Sequence, residues 1–464
     1  MDVARKLLER GRAEEALDHL KALLPTVDPI DRWRVHEMIG AAFHDLADPD
    51  GAAQAYFNAA QSDHYLRAQR QHYSNYLFAL HYLPDVDKND LAAEHFIYDT
   101  LYRDVEPLER VANRREKIAV GYVTPDFLNG AAARFYEPLL TAFDRKNFYV
   151  TCFSLSSAAD AFTAQIKNAV DEFITVDIKN IETAARVIAS HGLDILFDLG
   201  GHSDGGITLQ LMAYRLAPVQ ISGIGWLDTT GLSAVDYILT DDFLTPPTDA
   251  RLFTEKFLTV PHALVFTPQL IADNRRVHST VTFGCFNNFM KVTDDYLECV
   301  AEILERVPNS RLIMQDTTSI AARRPRMFER VSDLLLTDRI EIRLGRDAYL
   351  DDYADVDIML DTFPYNGGAM TATALCMGVP VISVRGDRYS ARFGSDIIRA
   401  AGLEELIVED QNEFVERAIE LSSDPIDVSD RLKGSALLDA KKFVADVEEQ
   451  YRRLKNFIDG GDWV

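Results

Sequence analysis

The pattern of apolar positions changes once along the chain, near Lys117. Before that point apolar side chains recur every three or four residues, as at Ala13, Leu17 and Leu20, and strand signals are missing. This is the periodicity of amphipathic helices that bury one face. The pattern therefore predicts an all-helical segment over residues 1–110.

One stretch of this segment has the spacing of a tetratricopeptide repeat, in which small residues let two helices cross closely. The matching positions are Ile39, Gly40, Phe43, Ala52, Tyr56 and Ala59. A degenerate earlier repeat is indicated by Gly11, Ala16, Leu20 and Leu23. Two repeats cannot bury a solenoid core, since about three are needed, so we expect the segment to pack against its neighbour.

Beyond Lys117, short β-rich runs alternate with helical stretches. The first block has runs at 117–123, 149–155, 193–201, 219–226 and 235–241, and the second at 282–288, 311–316, 339–345, 357–363, 380–386 and 405–410. Nearly continuous apolar strands separated by helices are typical of parallel sheets covered on both faces. The alternation predicts an α/β fold with two Rossmann-like lobes.

The same changes of pattern set the predicted domain boundaries. They are a helical segment over 1–110, an N-terminal lobe over 115–270, a C-terminal lobe over 280–445 and a terminal helix over 446–464. Ligands of such folds bind at the carboxyl ends of the strands, so we expect the site in the cleft between the lobes. The terminal helix is expected to return to the first lobe.

Composition narrows the range of partners. The formal net charge is −25, so the chain repels phosphate backbones and anionic lipid, which argues against nucleic-acid and membrane partners. An anionic ligand must then be caught by local donors. No run approaches the roughly 18 apolar residues of a membrane span, and the N-terminus has no apolar signal region, so we expect a cytoplasmic protein. The four cysteines have neither disulfide nor metal-ligand spacing.

The richest stretch for chemistry is 356–383. A predicted strand ends at Asp361, the turn 364–368 follows, and a helix is predicted from Ala369. Paired glycines before a helix N-terminus let backbone N–H groups approach an anion. The candidate anion-binding residues are Asn366, Gly367, Gly368 and Thr371. The alternative is an ordinary turn whose glycines adopt positive φ.

Other candidates stand at predicted strand ends. Asn288 and Lys291 follow the run 282–288, and in so acidic a chain Lys291 could supply the cation that a diphosphate needs. Arg346 and Tyr349 follow another strand of the same sheet, where an aromatic ring could stack on a base. His202 lies in a glycine-rich turn of the first lobe. A solvated lysine and a structural histidine are the alternatives.

Several motifs occur together in a specific order. They are GYVTPDF, DLGGHSDGG, RLAPVQISGIGWLDTTGLSAVDYILTD, FNNFMK followed by RVPNSRLI, and LDTFPYNGG with MGVPVI. Over residues 70–455 the chain resembles the O-GlcNAc transferases and Spindly-type O-fucosyltransferases. The resemblance implies a GT-B fold preceded by tetratricopeptide repeats. It also implies an inverting, metal-independent glycosyltransferase that uses a nucleotide diphosphate sugar, with a UDP-sugar as the first expectation, and no cofactor.

The resemblance also assigns roles by position. Lys291 matches the diphosphate-binding lysine and Asn288 its polar neighbour, while Tyr349 falls where a ring stacks on the base, with Arg346 nearby. The loop that holds the phosphates falls on Gly367, Gly368 and Thr371. The predicted catalytic residues are Lys291 and His202. The implied acceptor is a Ser or Thr hydroxyl of a protein docked by the helical repeats, and homo-oligomerisation stays open.

Three positions depart from the family pattern. Gly130 stands where a histidine is usual, Met370 where a threonine is usual, and Thr373 where a carboxylate holds the ribose. Either the donor differs from UDP-GlcNAc, or the chain is a catalytically weakened, nucleotide-binding partner of another glycosyltransferase. A sugar-nucleotide epimerase is a third hypothesis, but the loop residues supply no acid for it.

Overall fold

The structure, a computed structural model, describes residues 1–63, 65–272, 280–334, 337–346 and 349–460. The chain divides into two compact units. Unit 1 comprises Met1–Val86 with Pro268–Ser435, and unit 2 comprises Asp87–Thr267 with Ala436–Val464. Each unit contains one parallel sheet.

As the sequence pattern predicts, the described elements before Lys117 are helices, and strands mostly alternate with helices beyond it; an exception is residues 219–259, where three strands follow one another without an α-helix between them. The helices are α1 Asp2–Leu8, α2 Ala13–Leu23, α3 Arg32–Asp45, α4 Pro49–Ser62, α5 Leu66–Leu80, α6 Lys88–Asp99, α7 Ala133–Thr141, α8 Ala161–Ala169, α9 Ile181–Ala189, α10 Ile207–Met212, α11 Asp294–Arg306, α12 Arg323–Ser332, α13 Ala369–Cys376, α14 Phe393–Ala400, α15 Gln411–Ser423, α16 Ser429–Leu432 and α17 Ala440–Ile458. The strands are β1 Ile118–Thr124, β2 Phe148–Ser154, β3 Glu172–Thr175, β4 Ile195–Asp198, β5 Val219–Ser222, β6 Tyr237–Thr240, β7 Lys256–Thr259, β8 Thr282–Phe286, β9 Arg311–Gln315, β10 Ile340–Arg343, β11 Ile358–Leu360, β12 Val381–Val384 and β13 Ile407–Val408.

Both sheets share one strand order. In unit 2 it is β3-β2-β1-β4-β5-β6-β7, and in unit 1 it is β10-β9-β8-β11-β12-β13. In each sheet the order reverses beside the first strand, between β1 and β4 and between β8 and β11. This is the Rossmann order, and ligands bind beyond the carboxyl ends of the strands at such a reversal. Every predicted run contains a strand, whereas β3 and β7 were not predicted.

The helices α1–α5 pack within unit 1. Asp48 caps α4 by accepting a hydrogen bond from the Gly51 N–H at 2.9 Å, and Pro49 suits the first helical position because its missing N–H would be unpaired there. A Cβ atom added at Gly40 of α3 would lie 2.6 Å from the Tyr56 ring of α4. Packing therefore requires a small residue at this crossing, in agreement with the repeat spacing.

The predicted helical segment over 1–110 is divided between the units. Helices α1–α5 belong to unit 1, where the Arg388 side chain donates hydrogen bonds to the carbonyl oxygens of Leu83, at 2.9 Å, and of Val86, at 3.0 Å. Helix α6 belongs to unit 2. The predicted segment is therefore not one unit: helices α1–α4 share an apolar core within unit 1, and α6 is part of unit 2.

The terminal helix returns to the first lobe, as predicted. It begins at Ala440 and ends at Ile458, so the predicted start at 446 was too late, and residues 461–464 lie outside the described part. The Tyr451 hydroxyl lies 3.1 Å from the Tyr122 hydroxyl of β1. Helix α17 therefore packs against the sheet of unit 2, the unit to which it belongs.

A buried aromatic cluster anchors α6 within unit 2. His202 is fully buried and its Nε2 lies 2.9 Å from the Thr230 carbonyl oxygen, to which it donates as the N–H tautomer. Its ring centroid lies 5.3 Å from that of His95 and 4.8 Å from those of Tyr98 and Trp226. The imidazole is enclosed by these side chains, an environment typical of a structural histidine, and the catalytic role of His202 stays a prediction.

This cluster predicts a loss of stability in acid. Burial, and secondarily His95, holds the pKa of His202 well below 6.5, and burial lowers the pKa of His95 to about 4. The unfolded chain takes up these protons more readily, so stability is lost as the pH falls below about 6.5. We expect His202→Phe to reduce this pH dependence by up to about 1.4 kcal/mol per pH unit, as measured by urea unfolding between pH 7.5 and 5.0.

The matched control is His191→Phe, which removes a partly exposed imidazole from the same unit. The loss of stability in acid should remain in this variant, because His202 and His95 are still present. His202→Phe should also cost about 1–3 kcal/mol at pH 7.5, because the Thr230 carbonyl loses its donor. Equal losses of unfolding free energy in wild type and His202→Phe between pH 7.5 and 5.0 would contradict the prediction.

Candidate functional site

The candidate site lies in unit 1, where β8 and β11 pair as neighbours at the reversal of strand order. Residue Phe283 is in register with Ile358, so the two strands end at the same edge of the sheet. Beyond β8 the chain forms the 3-10 turn Phe289–Lys291, and beyond β11 it enters the glycine turn that precedes α13. The structure therefore brings together two stretches that the sequence places about 75 residues apart.

Lys291 contacts the glycine turn directly. Its Nζ donates a hydrogen bond to the Asn366 carbonyl oxygen at 2.7 Å and lies 3.9 Å from the centroid of the Tyr365 ring. Burial lowers the pKa of Lys291 to about 8, and the neighbouring Asp361 carboxylate opposes that shift. An ammonium has three N–H donors, and contacts with one carbonyl and one ring face do not offset the free energy that it loses on desolvation. Lys291 is thus suited to bind an anion.

Asp361 holds the turn in place. Its Oδ1 accepts hydrogen bonds from the N–H groups of Gly367, at 2.7 Å, and Thr362, at 2.9 Å, and from the Asn287 amide at 3.2 Å. Its Oδ2 accepts from the Ser383 hydroxyl at 2.8 Å. Burial raises the pKa of Asp361, while the hydrogen bond from Gly367 and its other donors lower it. The carboxylate is occupied by the protein itself and serves to shape the turn.

The two glycines of the turn are required by close packing. A Cβ atom at Gly367 would lie 2.5 Å from Thr371 Oγ1, and one at Gly368 would lie 2.1 Å from the Phe393 ring. Neither glycine has a positive φ, so the alternative of a turn needing left-handed backbone is wrong. Gly368 is the N-cap of α13 and has no side chain, which leaves the first N–H groups of the helix without a side-chain cap.

The side chains of the turn face inward. Asn366 is fully buried and its Nδ2 donates to the carbonyl oxygens of Thr362, at 3.1 Å, and Val384, at 3.2 Å. Its Oδ1 has no hydrogen-bond partner among the described residues. Thr371 is also buried, with its hydroxyl beside Gly367. Asn366 therefore offers Lys291 its backbone carbonyl, and the amide itself fixes the turn.

Arg346 and Tyr349 follow β10, as predicted from the sequence. The half-exposed Arg346 pairs with Asp352, whose carboxylate accepts from Arg346 Nε at 2.9 Å. Tyr349 begins the 3-10 helix Tyr349–Asp355. Contact with the start of α13 comes from Tyr353, whose hydroxyl donates to the Met370 carbonyl at 3.2 Å. The roles of Arg346 and Tyr349 toward a base stay predictions.

Sequence reasoning missed three residues of the site, and it identified one of them, Asp361, only as the end of a strand. Tyr365, whose ring lies under the ammonium of Lys291, belongs to the turn 364–368, but nothing in the sequence distinguishes it from its neighbours as a site residue. Arg323 donates to Asn288 Oδ1 at 2.6 Å from a helix that begins 35 residues later, and no sequence signal joins the two.

In unit 2, Gly130, which departs from the family pattern, lies beside a carboxylate, because a Cβ atom there would be 3.2 Å from Asp126 Oδ2.

The described part of the chain contains no group of three or more His, Cys, Asp or Glu side chains arranged to hold a metal ion. Over those same residues, no helix is both long and apolar enough to cross a bilayer. The four cysteines are buried and unpaired, as their spacing indicated.

Comparison with known proteins places these features in a family. The model of the family described as "Glycosyl transferase family 41" matches residues 101–277 and 271–447. The chain is 29% identical over 416 residues to a protein of Petunia hybrida named probable UDP-N-acetylglucosamine–peptide N-acetylglucosaminyltransferase SPINDLY, covering 83% of this chain and 44% of that protein. The protein of the same name from Solanum lycopersicum is 32% identical over 369 residues, which cover 74% and 39% respectively. The chain thus spans less than half the length of these relatives.

A solved structure agrees with the fold. A mutant of the O-GlcNAc transferase of Thermobaculum terrenum superposes with a TM-score of 0.84 and 25% sequence identity, over 96% of this chain and 88% of that one. The predicted fold class, a helical segment followed by two Rossmann-like lobes of the GT-B type, is confirmed. With both lobes matched by one family model, the chain belongs to glycosyl transferase family 41.

Proposed function

We propose that this chain is a glycosyltransferase that moves a sugar from a nucleotide diphosphate sugar to a Ser or Thr hydroxyl of a protein. The observation that carries the proposal is the contact of Lys291 with the Asn366 carbonyl, beside the uncapped start of α13. The relatives named above are described as acting from UDP-N-acetylglucosamine on peptides, so UDP-GlcNAc is the first donor to test.

The chemistry of the leaving group supports this assignment. Sugar transfer releases a nucleoside diphosphate, and negative charge develops on it as the glycosidic bond breaks. The Lys291 ammonium and the N–H groups at the start of α13 are donors fixed in advance, and donors of this kind stabilise such charge. Because the site is partly buried, this attraction is stronger than it would be in water. In this proposal the same donors take the place of a metal ion, so the reaction is metal-independent and needs no cofactor. Inversion at the anomeric carbon is proposed from the family resemblance.

The start of α13 also bears on donor choice. The Thr373 hydroxyl, which stands where the family has a carboxylate, donates to the Ala369 carbonyl at 2.6 Å within the helix. It is therefore engaged with its own backbone. Binding of a ribose would rely on other groups, and a panel of nucleotide sugars is the direct way to find the donor. The helical segment remains the proposed docking surface for the protein acceptor.

Replacing Lys291 by Ala tests the site. We expect the affinity for UDP to fall about 10- to 100-fold, because a charge-assisted hydrogen bond is lost. The wild-type affinity should also fall about tenfold per pH unit above roughly pH 8, since the lowered pKa leaves the amine neutral there and it must be reprotonated to bind. Isothermal titration from pH 7.0 to 9.5 measures both effects.

Two variants serve as controls. Lys291→Arg keeps its charge over the whole range and should flatten the pH profile. Lys433→Ala removes an exposed lysine of the same unit and should bind as wild type. If Lys291→Ala and wild type bind UDP equally at pH 7.0, Lys291 is not in the site. A wild type that binds UDP but transfers no sugar from any donor would point to the nucleotide-binding partner alternative, and one that binds no nucleotide diphosphate would refute the proposed function.

Chelation tests the metal-independent mechanism. Because Lys291 and backbone N–H groups neutralise the leaving group in this proposal, transfer in excess EDTA should equal transfer with added Mg²⁺ or Mn²⁺. The measurement is release of the nucleoside diphosphate from the preferred donor, with a metal-dependent glycosyltransferase in the same buffer as the control. A strict requirement for either cation would refute the mechanism.

A further inference from the structure

Arg323 forms a buried network behind the candidate site. It is the largest fully buried side chain in the described part of unit 1, and its Nη1 lies 3.3 Å from Oδ2 of the equally buried Asp316. The same Nη1 donates to Asn288 Oδ1 at 2.6 Å, and Nη2 donates to the His44 carbonyl at 2.9 Å. A buried ion pair is weak evidence for stability, since desolvation offsets much of the attraction. The partners of the network indicate another purpose.

The network fixes which way the Asn288 amide faces. Its Oδ1 accepts from Arg323 and from the Met290 N–H at 3.0 Å. Because a guanidinium only donates, the amide cannot flip, and its NH₂ group points away from Arg323. Asn288 also caps the turn Phe289–Lys291, and its carbonyl accepts from the Lys291 N–H at 2.8 Å. Arg323 thus controls a neutral donor and the backbone that carries Lys291.

The network also reaches the helical segment. His44 lies in the last turn of α3, where carbonyl groups lack partners within the helix and attract a cation. The residues just before Arg323 meet the same segment. Ala322 packs against its apolar core, and a Cβ atom at Gly11 would lie 3.6 Å from Ala321 Cβ. Helices α1–α3 therefore pack against the start of α12.

A second contact connects the helical segment to the glycine turn. Just beyond α5, the Tyr82 ring centroid lies 5.1 Å from that of Tyr365, the ring over which the Lys291 ammonium lies. His81 Nδ1 lies 3.2 Å from Ser390 Oγ, and the Ser390 carbonyl accepts a hydrogen bond from the turn that contains Tyr365. The helical segment therefore contacts the glycine turn directly and reaches the turn Phe289–Lys291 through Arg323.

We infer that the helical segment is a structural part of the donor site, and that Arg323 and Asp316 are positioning residues that hold Asn288 and Lys291 for the diphosphate. The inference rests on the proposed function for the identity of the ligand. It gives the repeats a role in donor binding in addition to acceptor docking.

Replacing Arg323 by Lys is the central experiment. The charge is kept, but a lysine cannot bridge the Asn288 side chain and the His44 carbonyl with one planar fork. We expect the Kd for UDP and the KM for the donor to rise about fivefold or more, with a smaller change in kcat, in protein shown to be folded by near-UV circular dichroism. The matched control is Arg326→Lys, which changes an exposed arginine of the same helix and should bind UDP as the wild type does.

A double-mutant cycle with Asn288 distinguishes a positioning role of Arg323 from a role in stability alone. If Arg323 acts through this amide, Arg323→Lys should weaken UDP binding far less in an Asn288→Ala background than in the wild type. Asn288→Asp should fold normally, since it keeps both acceptor contacts, but should bind UDP more weakly because it loses the NH₂ donor. Additive effects of Arg323→Lys and Asn288→Ala on Kd would overturn the inference.

The remaining outcomes are decisive as well. Wild-type UDP affinity in folded Arg323→Lys, together with weakened binding in Lys291→Ala, would overturn the inference and leave the proposed function standing. Failure of the wild type to bind any nucleotide diphosphate would overturn both. If Arg323→Lys does not fold, Asp316→Asn takes its place, because it loosens the same guanidinium without removing it. An unchanged Kd in that variant would again overturn the inference.

Discussion

The buried carboxylate of Asp361 is the interaction on which the candidate site depends. It lies just past the end of β11, and through hydrogen bonds it joins the turn at Gly367, the strand β12 at Ser383 and the end of β8 at Asn287. A buried carboxylate is costly unless its oxygens are bonded, and here three donors come from different pieces of chain, while the adjacent Thr362 N–H is the fourth. The position of the Asn366 carbonyl, and with it the contact to Lys291, follows from this arrangement.

Unit 2 repeats the same arrangement without the cation. Asp198, at the end of β4, is buried and accepts from the N–H groups of Gly200, at 2.8 Å, and Gly201, at 3.0 Å. It also accepts from the Ser222 hydroxyl of β5 at 2.9 Å. Each sheet thus uses an aspartate and a glycine turn to close the strand end beside its reversal. In unit 2 the following residue is the enclosed His202, whereas in unit 1 the turn meets Lys291. The glycine-rich motif alone therefore did not distinguish a binding turn from a structural one.

Most of the fold could be predicted from the sequence, because its buried strands are continuous apolar runs. The two strands that were missed, β3 and β7, are sheet edges of four residues each, and Glu172 and Lys256 begin them with charges that break the pattern. Lys291 and the glycine turn could be predicted because their chemistry is local. Arg323 could not, because an arginine in a charged stretch reads as solvated, and only tertiary contacts bury it against Asp316.

The net charge of −25 and an anionic ligand are compatible because the two act over different distances. At physiological ionic strength charges are screened beyond about 8 Å, so most of the acidic surface has little influence on a bound diphosphate. Close to the site, the negative charge of Asp361 is already bonded to donors of the protein. Lys291 is only partly compensated, and burial strengthens its attraction for an anion at contact distance. Recognition of the proposed diphosphate is thus decided within one shell of neighbours, and in the inference drawn above those neighbours include residues held by the helical segment.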